Sequence, residues 1–89
     1  MKHLVKRKGH TEEFDERKLY ASLFAAVTSL RISDEEAETI CHMVTHEVKE
    51  IIKDKKEVTA HVLHSEAAKI LKKYQPDAAY LYSTHKDLS

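Results

Sequence analysis

An α+β domain, a small four-helix bundle capped by a short β-hairpin or small sheet, is what this 89-residue sequence predicts, on three observations. Two short alternating segments flank Lys8 and Gly9, the latter the chain's one glycine. A capping box, S-x-x-E at Ser33 to Glu36, opens a long run of apolar residues at helical spacing. Two more helical patterns begin at Thr59 and Pro76, residue types suited to helix starts. With 42% apolar residues, a chain this short cannot divide its buried surface between two cores, so residues 1–89 are expected to form one domain.

In chain order, His3 to Arg7 and His10 to Phe14 read as two strands, with Gly9 supplying the positive φ that a tight turn needs. Asp15 is placed to cap a helix reaching about Leu30, whose apolar positions Leu19, Leu23, Phe24, Val27 and Leu30 keep helical spacing. Behind Ser33, one face of a long second helix carries Ala37, Ile40, Cys41, Val44, Val48, Ile51 and Ile52. The charged segment KDKKE interrupts that pattern. Thr59 then caps a third helix with Leu63, Ala67, Ile70, Leu71 and Tyr74 inward. Pro76 suits the first turn of a fourth helix running through Ala79 and Tyr82 to about Lys86.

Fifteen lysines and arginines balance fifteen acids, so no global field draws the chain to nucleic acid or to an anionic membrane. No apolar run is long enough for a membrane span or a secretory signal, which leads us to expect a soluble, cytoplasmic protein. Cys41 stands alone, ruling out a disulfide framework or a CxxC knuckle within the sequence, and reads as a small core hydrophobe.

Charge is nevertheless concentrated locally. Between Val5 and Leu19 the chain places Lys6, Arg7, Lys8, Arg17 and Lys18 among Glu12, Glu13, Asp15 and Glu16. Lys18 falls in the first turn of a helix, at the positive end of its dipole, where acids are preferred. An anion held between the hairpin and that helix start would offset the cost, because free N–H groups, Lys18 and Lys6 or Arg7 could converge on it. Polyphosphate fits such a pocket. Strand alternation sends Lys6 and Arg7 to opposite faces, so one of the two side chains reaches the ligand and the other contributes backbone.

These residues resemble a known family. VKRKG, then EEFDERKL, a long helix, VTAHVL and a closing AAYLYSTHK are together similar to the ATP-cone domain, over nearly the whole chain. That family is the ATP- and dATP-sensing regulatory module of many ribonucleotide reductases and of the zinc-ribbon repressor of their genes. Lys6, Arg7, Gly9, Glu12, Phe14, Asp15, Lys18 and Leu19 match its V-x-KR-x-G-x-x-E-x-F-D…K-[IL] pattern at the right spacings. Ala79, Tyr82, His85 and Lys86 follow its late signature, with His85 where tyrosine is usual. Lys8 replaces a common aspartate, and Leu63 sits where some reductase cones carry a histidine.

The resemblance implies an adenine nucleotide under the hairpin. The main chain of Val5 and Lys6 and the side chain of Glu12 would lie beside the adenine, with Phe14, Leu19 and Val62 as apolar walls. Arg7, Lys18, Thr59 and Lys86 would face ribose or phosphates, with Mg²⁺ carried on the phosphates. It also implies regulation of a partner such as a ribonucleotide reductase, or of self-association. With no zinc ribbon, reductase barrel or P-loop in the sequence, the expectation is a free-standing sensor.

Plainer readings stand beside this one. A lysine-rich edge hairpin also discourages strand addition, Phe14 and Leu19 also suit a core, and Thr59 has a cap to make. His42 and His46 are spaced i, i+4 and His61 and His64 i, i+3, yet neither pair is completed into a metal site. No nucleophile–base constellation is present, and no enzyme activity is expected. Two other functions compete: a small nucleic-acid-binding module using Lys2, Lys6, Arg7 and Lys8, and a protein-interaction module docking through its helix faces.

Overall fold

Gly9 takes φ 88°, the left-handed conformation that lets strand β1 (Leu4–Arg7) fold back on β2 (His10–Glu13) in two residues. The computed structural model that carries these elements describes residues 3–84. Cα partners Val5↔Glu12 and Arg7↔His10 place those four residues on one face, while Lys6 and Thr11 share the other. Val5 is 2% exposed and Lys6 is exposed, so the first face is the one turned to the helices.

Helices α1 (Glu16–Val27), α2 (Asp34–Ile52), α3 (Ala60–Tyr74) and α4 (Pro76–Thr84) complete an α+β arrangement with a third strand, β3 (Glu57–Thr59). The first three helices start where the sequence reading expects. The Asp15 carboxylate accepts from Arg17 N at 2.9 Å, Ser33 Oγ from Glu36 N at 3.1 Å, and Thr59 Oγ1 from Val62 N at 3.0 Å. α1 packs on α2 and α4, and α3 on α2 and α4. Leu23, Val27, Cys41, Val44, Val48 and Leu71 are the wholly buried centre. No helix among the described residues is long and apolar enough to cross a membrane.

Three expectations need correction. The connection after α2 was read as leading straight to the Thr59 cap, whereas Glu57–Thr59 pairs in parallel with β1, and the sheet order is β2-β1-β3. Three residues are too few to display alternation. Only Val58, 7% exposed and opposite Val5, faces inward. Second, α1 ends at Val27 rather than near Leu30. The hydroxyls of Thr28 and Ser29 bond back to the carbonyls of Phe24 and Ala25, at 2.7 and 2.9 Å, and compete with continued helix. Leu30 still packs against the core from the turn that follows. Third, Tyr74 is 37% exposed instead of inward. Its hydroxyl donates to the Glu47 carboxylate, which also holds Lys73 Nζ at 2.6 Å, so a polar tie between α2 and α3 keeps the ring at the surface. The expected end of α4 at Lys86, with His85 and Lys86 of the late signature, lies outside the described residues.

Two measurements follow from this packing. Leu23→Ala should cost about 2–5 kcal/mol in urea unfolding, the range for truncating a fully enclosed leucine. Burial pushes the Cys41 thiol up to about 11, so alkylation at neutral pH should proceed only as fast as the chain unfolds, and denaturant should abolish the protection.

Candidate functional site

Beneath the sheet, the face carrying Val5, Arg7 and Glu12 leaves a cleft of about 590 Å³ between the strands and helices α1, α3 and α4. Two kinds of wall close it. Val5, Phe14, Leu19, Ala60 and Leu63 supply apolar surface, and Arg7, Lys18 and three carboxylates, Glu12, Glu13 and Asp15, supply charge.

The charges are interlocked. Arg7 Nε donates to Glu12 Oε1 at 2.7 Å, while Lys18 Nζ and His10 Nε2 stand 3.8 and 3.7 Å from Glu12 Oε2. The hydrogen bond from Arg7 is the main reason that the Glu12 carboxyl is held below its usual range, and the charges of Arg7, Lys18 and His10 act in the same direction. Register explains the convergence: Arg7 and Glu12 are diagonal neighbours on one face of β1 and β2, and α1 starts directly after β2. Lys18, at the positive end of α1, thus has a carboxylate neighbour to offset its position.

At the far wall, helix α3 contributes His64. Its ring stacks on Tyr82 of α4, with centroids 4.3 Å apart and 12° between planes, and Nε2 lies 3.1 Å from the Tyr82 carbonyl oxygen. A carbonyl only accepts, so Nε2 carries the hydrogen and Nδ1 is the bare nitrogen. That Nδ1 is buried and has no hydrogen-bond partner among the described residues. Burial holds His64 below the usual imidazole value, with the Tyr82 carbonyl pulling the other way. Tyr82 itself is 2% exposed, and its phenol, pushed upward by burial, sits 3.4 Å from Ser22 Oγ.

Of the residues singled out from the sequence, Val5, Arg7, Glu12, Phe14, Lys18 and Leu19 line this one cleft. Lys6 lies on the opposite face, 3.2 Å from Glu57 of β3. It shares a shallower depression of about 620 Å³ with Lys8, Thr59 and His61. Arg7 and Ala60 border both hollows, so the two are contiguous around the end of the sheet. Val62 is 39% exposed and lines neither, and Lys86 is outside the described residues. His64, Tyr82 and Ser22 were not foreseen as site residues. Helical spacing from Leu63 and Ala67 did offer a signal, since it sets His64 on the inward side of α3.

A broader hollow, on the α2 side of α1, is bordered by six carboxylates against four lysines and arginines, a poor lining for a polyanion. Among the described residues no group of three or more His, Cys, Asp or Glu is arranged to hold a metal ion. His42 and His46 are exposed on α2, and His61 is exposed while His64 is half-buried.

No curated protein and no solved structure matches the chain. The profile of the ATP cone domain, however, matches residues 2–88. That span takes in both strands of the charged turn, all four helices and the cleft between them, and the chain belongs to the ATP cone family, whose domain is a nucleotide-sensing regulatory domain that binds ATP or dATP.

Proposed function

We propose that the cleft under the sheet binds ATP or dATP and that occupancy alters how this chain associates with a partner, either a ribonucleotide reductase-like protein or a second copy. The observation that carries the reading is the pair Arg7 and Lys18 in the lining of an open, partly apolar cleft, bridged by a single carboxylate. Triphosphate recognition needs several cationic donors, and a purine needs an apolar slot with a few polar groups; this lining has both.

In this reading Arg7 and Lys18 exchange Glu12 for phosphate oxygens, and the released carboxylate is free to accept from a base amino group. Val5, Phe14 and Leu19 form the apolar slot. Because Arg7 also borders the shallower hollow, a polyphosphate tail held there would meet Thr59 at the start of α3, with Lys6 and Lys8 beyond. The family resemblance adds Val62 as an apolar wall and Lys86, outside the described residues, as a contact to ribose or phosphate. Mg²⁺ enters only through phosphate oxygens, since the described residues offer it no ligand cluster of their own.

The path to a partner is short. Asp15 and Lys18 flank the first turn of α1, and Glu16 in that turn is tied to Lys49 of α2 at 3.2 Å. A ligand that repositions the turn therefore pulls on α2, whose outer face bears His42 and His46. Tyr80 on α4, 70% exposed, is a second contact surface. Such an effect requires the ligand to interact differently with two arrangements, and by linkage the partner must change nucleotide affinity by the same factor. A nucleic-acid role is less well supported. Arg7 is turned inward to Glu12 and Lys6 is paired with Glu57, so the turn presents no continuous basic stripe.

ATP and dATP should raise the melting temperature more than GTP or AMP, and a flat response at millimolar ATP with magnesium would sink the reading. Arg7→Ala and Lys18→Ala should each weaken triphosphate binding by about 1–3 kcal/mol in calorimetry while leaving the fold intact. Sedimentation of the empty, ATP-bound and dATP-bound chain, alone and with a candidate reductase, should give different distributions.

A further inference from the structure

The cleft has a charge problem. Among the described residues, Arg7 and Lys18 line the cleft together with the carboxylates Glu12, Glu13 and Asp15, so these side chains offer a polyanion no excess of positive charge. A triphosphate carries several negative charges of its own. Positive charge that arrives with such a ligand, as Mg²⁺ on its phosphates or as a proton from solvent, would favour its entry.

His64 is the group in the lining built to accept that proton. Its Nε2 is committed to the Tyr82 carbonyl, and its Nδ1 is buried without a partner among the described residues. While the cleft is empty, protonation would create a buried N–H with no acceptor, which is unfavourable. A phosphate oxygen in the same cleft would supply the acceptor once the side chains that now cover Nδ1 give way to it. The ring already lies flat on Tyr82 at 4.3 Å, a face that favours a cation over a neutral ring. We propose that His64 is a phosphate ligand of this cleft that binds as the imidazolium, taking up a proton from solvent as the polyphosphate enters.

The surrounding groups set the direction of the pH effect. From β1 comes Arg7, from β2 Glu12 and Glu13, from the cap of α1 Asp15, from α1 Lys18, from α3 His61 and from α4 the Tyr82 phenol. In the empty chain burial and His61 favour neutral His64, so the proton is absent near neutrality. The bound phosphate raises the affinity for the proton. By linkage, the proton raises the affinity for phosphate, and binding must weaken as pH rises through the value for the bound state.

The inference rests on the nucleotide reading above, and calorimetry with ATP separates the two. Titrations near neutral pH in buffers of different ionisation enthalpy count the protons taken up per ATP. The full chain should take up more than His64→Gln by roughly half a proton, and its affinity should fall by roughly threefold more per pH unit. His46→Gln, on the exposed face of α2, should behave like the parent. In the unsubstituted chain, the His64 ring carbon resonance should move toward its imidazolium position when ATP is added, a readout independent of how the variant folds. ATP binding with equal proton uptake in parent and His64→Gln, and no movement of that resonance, would overturn the role of His64 while leaving the nucleotide site standing. Absence of ATP binding in the parent would overturn both.

Discussion

Everything in this fold is arranged around β1, four residues hydrogen-bonded on both sides. β2 pairs with it antiparallel through the tight turn, and β3 pairs with it parallel after two helices have intervened. The strict alternation of a strand held on both edges leaves its side chains no choice of face. Val5 must enter the core beside Val58, and Arg7, two residues on, must enter the cleft. A slip of one residue would bring Lys6 to the cleft and Leu4 out of place. The centre of the core and the centre of the site are thus positioned by one register.

Glu12 shows what that register imposes chemically. A guanidinium and an ammonium directed under the sheet cannot remain there unopposed, and the carboxylate diagonal to Arg7 neutralises them while the cleft is empty. Its own ionisation is favoured for the same reason. The cluster is a self-satisfied version of the contacts that a phosphate would make, so on the proposed reading recognition would be an exchange of anions and not the filling of a bare positive hollow. Specificity would then depend on what the nucleoside contributes at the apolar walls, since the electrostatic gain is reduced by the contact that must be released.

Much of this was legible from the sequence, for local reasons. Asp15, Ser33 and Thr59 declared three helix starts because capping is decided by a residue and its next three neighbours. Lys6 and Arg7 declared opposite faces because strand periodicity has no exceptions short of a bulge. The charged turn pointed to a candidate site because a family pattern spans Lys6 to Leu19, and Arg7, Glu12, Phe14, Lys18 and Leu19 do line one cleft. What failed was non-local. β3 exists through its pairing with a strand about fifty positions earlier, and three residues carry no pattern of their own. Tyr74 was drawn to the surface by Glu47 on another helix. His64 was weighed only through its spacing from His61, as half of a metal pair that was set aside, when its surroundings are set by Tyr82 on α4. Leu30 kept its place in the core although the helix ended before it, since packing and helical geometry are separate constraints.

The parallel pairing of β1 with β3 also has a kinetic side. Leu4 N bonds to Lys56 O at 2.9 Å and His3 Nδ1 lies 2.6 Å from Lys55 O, so the start of the chain is stitched to its middle only after α1 and α2 have been traversed. Closing so long a loop is entropically expensive and delays the sheet relative to the helices, which form from neighbours. The cleft draws its walls from both sides of that closure, from Val5 through Ala25 and from Ala60 through Tyr82. No helical intermediate can contain it. During synthesis, a chain emerging from the ribosome would acquire the cleft only after α4 is available, and a half-made domain would offer a ligand only fragments of its walls.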